Sequence, residues 1–160
     1  MTELVSIAEQ IAAKLIEKKQ TIAVAESSTG GLISASLLAV PGASAYFIGG
    51  GVIYTRDARR VLMDIPNDAM RGIRSASEPY AQLLARQIRE RLSTDWGPSE
   101  TGAAGPTGNR YGDAAGHSCM AITGPQHEVI TLETASGDRQ ANMQAFAKAA
   151  LELLLKNLMR

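Results

Sequence analysis

The stretch TIAVAESSTGGL at residues 21–32 decides the fold, because it joins a short apolar run to a polar turn and then to a helical pattern. Residues 21–25 are apolar or β-branched and are bounded by polar residues, which predicts a buried strand. Residues 26–31 supply an acid, three hydroxyls and two glycines in succession. A helical pattern begins at Leu32 and stops at Pro41-Gly42.

The segments on either side of this unit extend the pattern. Before it, Leu4, Ile7, Ile11 and Leu15 recur at intervals of three and four, which predicts an amphipathic helix. After it, residues 46–55 are aromatic and β-branched at both ends, which favours a strand. The three glycines inside that strand indicate a bend or a close approach of another backbone.

The middle of the chain predicts two further helices and a loop. Residues 57–63 form a short helix, and Ser77-Glu78-Pro79 is a good start for a longer one, with a serine cap and an early proline. Residues 95–101 are a weak strand candidate, because a Gly-Pro pair interrupts them. Residues 102–116 are rich in glycine and are expected to form a loop.

The last third of the chain predicts a hairpin and a long helix. Residues 118–123 and 128–133 alternate in polarity around a Gly-Pro turn, and residues 138–158 carry an apolar helical stripe. Helices that alternate with buried strands predict a three-layer α/β/α sandwich, and the hairpin favours a mixed sheet. The whole chain, residues 1–160, fits one domain.

The composition narrows the class of protein. Sixteen basic residues balance sixteen acidic ones, so no net positive charge is available for nonspecific binding to nucleic acid. The single cysteine cannot form an intramolecular disulfide, which fits a reducing compartment. There is no signal-peptide pattern and no long apolar run. A cytoplasmic protein without membrane attachment is therefore expected.

Three segments can carry chemistry, and each also has a purely structural interpretation. The turn at 26–31 can bind an anion or present a nucleophilic hydroxyl beside backbone donors, or it can simply cap a helix. The glycine-rich segment at 101–108 can wrap a phosphate, or it can be a flexible loop. Residues 54–59 offer a tyrosine and arginines that can relay protons or bind phosphate, or they form an exposed helix start.

The remaining candidates are interpreted as structural. His117 and His127 have no neighbours spaced for a metal site, so neither a metal nor a cofactor is expected. Cys119 lies within an apolar strand and is interpreted as a small buried hydrophobic residue rather than a nucleophile.

Six ordered segments resemble the CinA C-terminal domain family, also known as nicotinamide-nucleotide amidase. They cover nearly the whole chain: AESSTGG at 25–31, PGASAYFIGG at 41–50, VIYTRDAR at 52–59, SASEP at 75–79, TGAAGP at 101–106 and SGDR at 136–139. The resemblance implies an α/β/α sandwich that hydrolyses nicotinamide mononucleotide to nicotinic acid mononucleotide and ammonia.

The resemblance also implies roles for individual residues. Ser27 falls at the family's nucleophilic serine, Tyr54 at its catalytic tyrosine and Thr101 at a substrate-contacting threonine. Arg59 completes the predicted catalytic set. The predicted substrate-binding residues are Glu26, Ser28, Thr29, Gly30, Gly31, Thr101, Gly102, Ala103, Gly105 and Arg139. Backbone donors near residues 29–31 are expected to stabilise the oxyanion that forms when Ser27 attacks the carboxamide.

Two positions depart from the family pattern. Arg59 stands where the family carries a lysine that is thought to act as the general base for the serine. Arginine stays charged at any ordinary pH, so Arg59 cannot accept a proton, but it can orient Ser27 or bind the phosphate. Residues 112–116 read GDAAG where the family usually carries Lys-Pro-Val-Gly, which removes a positive group from the substrate loop.

Three functions remain open from the sequence. The first is a metal-free amidase whose partner is a small nucleotide substrate. The second is a nucleotide-binding protein without catalysis, motivated by Arg59. The third is an accessory role in DNA uptake or repair, against which the balanced charge argues. The apolar terminal helices also leave room for a subunit interface, so a homo-oligomer is expected.

Overall fold

A computed structural model describes all residues from 1 to 160. Its helices and strands follow in the order α1 (Thr2–Lys18), β1 (Ile22–Glu26), α2 (Leu32–Leu38), β2 (Phe47–Val52), α3 (Arg56–Met63), α4 (Glu78–Leu92), β3 (Gly97–Ala103), β4 (His117–Thr123), β5 (Glu128–Glu133) and α5 (Arg139–Leu158). Every predicted element is present. The predicted helix cap at Ser77 is also confirmed, since its Oγ accepts from Tyr80 N at 3.3 Å. Asp138 Oδ1 caps α5 in the same way by accepting from Ala141 N at 3.1 Å.

The five strands form one sheet in the order β2-β1-β3-β4-β5. β1 lies between β2 and β3 and is parallel to both, whereas β4 is antiparallel to β3 and to β5. The predicted mixed sheet and the hairpin are therefore confirmed. The predicted weak strand at 95–101 is a central strand that starts two residues later, at Gly97.

Helices cover both faces of the sheet, which gives the predicted three layers. Successive side chains of β1 point to opposite faces of the sheet. Ile22 and Val24 pack with α1, α2 and α5, whereas Ala23 and Ala25 pack with α3 and α4. The apolar stripes of α1 and α5 are buried against each other and against the sheet. Self-association remains a prediction. None of the five helices combines the length and apolar character that a membrane span requires.

The glycines of β2 allow close packing against β1. A Cβ atom at Gly50 would lie 2.7 Å from the carbonyl oxygen of Val24, the residue that it pairs with. The predicted close approach of a backbone is confirmed at this position. It places the end of β2 directly beside the end of β1, where the candidate site lies.

Candidate active site

A cavity of about 610 Å³ opens at the carboxyl ends of the three parallel strands. Ser27 follows β1 and Tyr54 follows β2, whereas Thr101 and Gly102 are among the last residues of β3. All four residues line the cavity. The remaining walls come from the start of α3, from residues 67–76, from α4 and from the loop after β3. This is the edge of an open α/β sheet at which ligands usually bind.

The turn that carries Ser27 is held from behind by Glu26. Its fully buried carboxylate accepts the backbone N–H groups of Gly31, Ile33 and Ser34 at 3.0, 3.1 and 2.9 Å, and the hydroxyl of Thr29 at 2.6 Å. The carboxylate therefore caps the N-terminus of α2, where negative charge is favourable. Glu26 does not line the cavity, although it was predicted to bind substrate.

A second buried carboxylate, Glu100 of β3, holds the same turn from the other side. Its Oε1 atom accepts the backbone N–H groups of Ser27 and Thr29 at 3.1 and 3.0 Å. Its Oε2 atom accepts the hydroxyls of Ser28 and Ser118, the latter at 2.8 Å. Glu100 is not among the residues predicted from the sequence. The available signal was an acid inside a strand, directly before the Thr101-Gly102 pair.

These two carboxylates decide which donors of the turn remain free. The N–H of Thr29 goes to Glu100, that of Gly30 to the carbonyl of Ser27 and that of Gly31 to Glu26. The predicted oxyanion donors at residues 29–31 are therefore already engaged, and that prediction is wrong. The N–H of Ser28 has no acceptor in the protein, and neither does the hydroxyl of Ser27.

Tyr54 stands at the mouth of the cavity with 61% of its surface exposed. Its hydroxyl accepts a hydrogen bond from Arg139 Nη2 at 3.2 Å. The other end of the same guanidinium, Nη1, donates to the carbonyl of Gly105. Arg139 is the first residue of α5, so it joins β2, the glycine-rich loop and α5 beside Tyr54. Arg139, Ala103 and Gly105 do not themselves line the cavity.

Arg59 lies deeper in the cavity and is only 6% exposed. Its Nη2 atom donates to Asn67 Oδ1 at 3.2 Å, and its guanidinium carbon lies 5.8 Å from the centre of the Tyr80 ring. Its Nε atom is buried without any hydrogen-bond partner. No carboxylate pairs with it, so its charge is compensated only by an amide oxygen and an aromatic face.

Thr101 and His117 both fix Ala76, which forms part of the cavity wall. The backbone N–H of Ala76 donates to Thr101 Oγ1 at 3.1 Å, and its carbonyl lies 2.7 Å from His117 Nε2. The other ring nitrogen of His117 lies 2.5 Å from Glu133 Oε1. Burial opposes charging of the ring, but the hydrogen bonds to Glu133 and Ala76 and the charge of Asp113 outweigh it, so the pKa of His117 is raised. The predicted structural role of His117 agrees with these contacts.

Arg74 and Arg110 also line the cavity, and neither was predicted from the sequence. Arg74 and Arg110 lie 5.5 and 5.1 Å from the centre of the Tyr111 ring. Arg110 also donates to the Tyr111 hydroxyl at 3.0 Å, and this bond together with the charges of Arg110 and Arg56 lowers the pKa of Tyr111 against the effect of burial. Asp113 binds Arg74 through contacts of 2.6 and 3.1 Å. No sequence motif linked these distant segments.

The structure thus gathers part of the predicted set around one cavity. Ser27, Tyr54, Arg59, Thr101 and Gly102 line it. The cavity lining does not include the other predicted residues: Glu26, Ser28, Thr29, Gly30, Gly31, Ala103, Gly105 and Arg139. No group of three His, Cys, Asp or Glu side chains is arranged to hold a metal ion.

Comparison with known proteins agrees with the fold and with the sequence pattern. The CinA-like proteins of Chlorobium limicola and Parasynechococcus marenigrum are 37% and 36% identical to the chain over 151 and 157 residues. These alignments cover 91% and 96% of the chain. They cover only 35% and 37% of the two relatives, so the chain spans a little more than a third of their length.

Solved structures have the same fold over almost the whole chain. A CinA superfamily protein from Klebsiella pneumoniae superposes with a TM-score of 0.90 at 25% identity, covering 98% of both chains. A competence or damage-inducible protein from Enterobacter asburiae gives 0.90 at 27% identity, covering 97% of this chain and 98% of its own. The family profile of the CinA C-terminal domain matches residues 4–158. The chain therefore belongs to the CinA C-terminal domain family.

Proposed function

We propose that this chain hydrolyses the carboxamide of nicotinamide mononucleotide and releases ammonia and nicotinic acid mononucleotide. The observation that carries the proposal is Ser27, whose hydroxyl has no partner in the protein and lines an arginine-rich cavity at the ends of three parallel strands. The proposal is also supported by the resemblance of residues 25–31 to the family segment that carries the nucleophilic serine. The free thiol of Cys119 fits a cytoplasmic site for this reaction.

In the proposed reaction, Ser27 Oγ attacks the carboxamide carbon and a tetrahedral oxyanion forms. The N–H of Ser28 is the donor available for that oxyanion, because it is the one backbone donor of residues 27–31 without an acceptor. An N–H of the residue after the nucleophile serves this purpose in other hydrolases that place a serine on a strand-to-helix turn.

The proton of Ser27 has to reach the leaving nitrogen. Tyr54 accepts from Arg139, so its own hydroxyl hydrogen remains free to be passed on. In the proposed relay, Tyr54 gives its proton to the amide nitrogen and takes the one from Ser27. The carbon–nitrogen bond then breaks, and ammonia leaves. Water next attacks the acyl-serine, which releases the carboxylate and restores Ser27.

A second function is favoured by a specific observation. No basic group is hydrogen-bonded to the hydroxyl of Ser27, and Arg59 cannot accept its proton. A protein that binds the nucleotide without turning it over is therefore the alternative. In that case Arg59 serves only as a fixed positive charge for the phosphate.

The test measures ammonia release from nicotinamide mononucleotide at micromolar enzyme, with Ser27→Ala as the matched control. The proposal expects release above this control, and a further gain in rate for Arg59→Lys, because a lysine can lose its proton when buried. Equal release by the wild-type chain and Ser27→Ala would sink the amidase. Calorimetry with the same nucleotide then tests the alternative, which requires binding in the absence of turnover.

A further inference from the structure

One side of the cavity consists of two loop segments, residues 74–76 and residues 109–111, all of which line it. Neither segment lies in a helix or a strand, so no backbone ladder fixes its position. Side-chain contacts from behind the wall hold both segments instead. They converge on His117, a buried residue at the start of β4 that does not line the cavity.

Ala76 is the point at which His117 holds the first segment. Its φ angle is 56°, in the left-handed region that a residue with a Cβ atom rarely adopts. Such a conformation persists only where its surroundings fix it. Here the backbone N–H donates to Thr101 Oγ1 at 3.1 Å, and the carbonyl oxygen lies 2.7 Å from His117 Nε2. Loss of either contact therefore weakens the hold on this part of the wall.

Asp113 connects His117 to both segments. Its Oδ2 atom lies 3.7 Å from His117 Nε2 and accepts from Arg74 Nη1 at 2.6 Å. The same oxygen accepts from Asn109 Nδ2 at 2.8 Å. Arg74 and Asn109 both line the cavity. The charge of His117 thus lies beside the acid that joins the two segments.

The contacts of His117 require two ring protons. Nδ1 faces Oε1 of Glu133 at 2.5 Å, and Nε2 faces the carbonyl of Ala76. A charged imidazole carries two N–H groups and a neutral one carries a single N–H, and a carbonyl oxygen cannot donate in its place. The bond to the carboxylate of Glu133 is the stronger of the two. The proton therefore leaves Nε2 when the ring becomes neutral, and the carbonyl of Ala76 loses its donor.

The surroundings of the ring favour its charged form. Titratable and charged groups reach it, directly or through one partner, from β4, β5, α4 and the two loops: Cys119, Glu133, Glu78 through Thr131, Asp113, and Arg74 through Asp113. Burial opposes charging, but the hydrogen bonds to Glu133 and Ala76 and the charge of Asp113 outweigh it, so the pKa of His117 is raised. The ring therefore stays charged to a higher pH than a free histidine.

We infer that His117 is a positioning residue for substrate binding: its charged form holds residues 74–76 and 109–111 in the shape that accepts the substrate, and loss of the Nε2 proton releases them. His117 does not line the cavity, so it acts through Ala76 and Asp113. The inference rests on the proposed function for the identity of the substrate. It adds that the affinity of the site falls as His117 loses its charge at rising pH, while the chemistry at Ser27 changes little.

Nuclear magnetic resonance with labelled histidine tests the coupling without any turnover. The chain has two histidines, and His127→Asn is the matched control because His127 is exposed and does not line the cavity. The backbone amide of Ala76 and the side-chain amide of Asn109 are expected to shift with the midpoint of the His117 ring, in the wild type and in this control. The neutral ring should carry its hydrogen on Nδ1. A neutral ring protonated at Nε2, or amide signals that do not follow the His117 midpoint, would overturn the inference.

Glu133→Gln provides a second variant that keeps the histidine. It retains an acceptor for Nδ1 but removes the charge, and 56% of the Glu133 side chain is exposed, so the variant should fold. The midpoint of His117 is expected to move to lower pH, and the signals of Ala76 and Asn109 should move with it. Amide midpoints that stay at the wild-type pH would contradict the coupling.

Steady-state kinetics with nicotinamide mononucleotide test the consequence for the substrate. As the pH passes the His117 midpoint, KM should rise roughly tenfold more in the wild type than in His117→Asn, the equivalent of one charge-assisted hydrogen bond, whereas the ratio of the two kcat values should change little. Comparing the two proteins at each pH removes the titration of the substrate phosphate, whose second pKa is about 6. Parallel KM profiles would overturn the role in binding.

Failure of the amidase and failure of this inference give different results. An absence of ammonia refutes the amidase alone, and calorimetry with the same nucleotide then supplies Kd in place of KM. The histidine and amide midpoints are measured without substrate, so they decide on the coupling of His117 to the wall in either case. Ammonia release with a pH-independent affinity ratio refutes only the role of His117.

Discussion

Two substitutions of Glu100 have different expected effects on stability, because Glu100→Ala removes the hydrogen-bond acceptor whereas Glu100→Gln removes only its charge. Its carboxylate is fully buried, with Oε1 facing two backbone N–H groups and Oε2 facing two hydroxyls. Backbone donors cannot turn away, but a hydroxyl can rotate to accept instead of donate. Glutamine can therefore keep its carbonyl toward Ser27 and Thr29 while its NH₂ group faces Ser28 and Ser118.

The expected magnitudes follow from this geometry. In Glu100→Ala the buried N–H of Thr29 and the part-buried N–H of Ser27 lose their acceptor, at about 1–3 kcal/mol for a fully buried donor and less for a part-buried one, so a loss of about 2–4 kcal/mol is expected. In Glu100→Gln the bonds remain but lose their charge assistance, and a loss of about 1–2 kcal/mol is expected. Total stabilities of such domains are only about 5–15 kcal/mol, so the alanine variant is severely weakened.

Urea denaturation followed by circular dichroism measures both variants against the wild-type chain. Glu90→Ala is the matched control, because Glu90 is exposed on α4 and makes no side-chain hydrogen bond or ion pair. It should stay within about 0.5 kcal/mol of the wild type. The reasoning fails if Glu100→Ala is no less stable than this control, or if glutamine is as damaging as alanine.

Three further predictions concern stability. Gly50→Ala should cost about 1–3 kcal/mol, because its Cβ would meet the Val24 carbonyl, whereas Gly51→Ala, whose Cβ meets only flexible side-chain ends, should cost less in the same thermal melts. The raised pKa of His117 means that its contribution is complete below the unfolded pKa of about 6.5 and is lost as the pH rises through the folded value. The unfolding free energy of the wild type should therefore fall as the pH rises above about 6.5; a His117→Asn variant that falls equally would contradict this. Asp138→Ala should cost about 1 kcal/mol by removing the cap of α5, and an unchanged urea midpoint would count against it.

The sequence predicted the elements of the fold because their signals are local. The spacing of apolar residues, the Ser77 cap and the Pro41-Gly42 stop can all be recognised within a few residues. The position of β3 was the weakest prediction, since a Gly-Pro start is unfavourable for a strand. Its central place in the sheet comes from pairing with β1 and β4, which are distant in sequence.

For the site, the sequence by itself determined that a serine follows β1, that a tyrosine follows β2 and that an arginine stands in α3. Only the tertiary structure decided what each of them faces. It turned Glu26 and Glu100 into acceptors for the Ser27 turn and left the Ser28 amide free. It also brought Arg110 from a distant loop into the cavity with Arg59. These pairings join residues far apart in the chain, and hydrogen bonding and charge act over distances in space that no local pattern encodes.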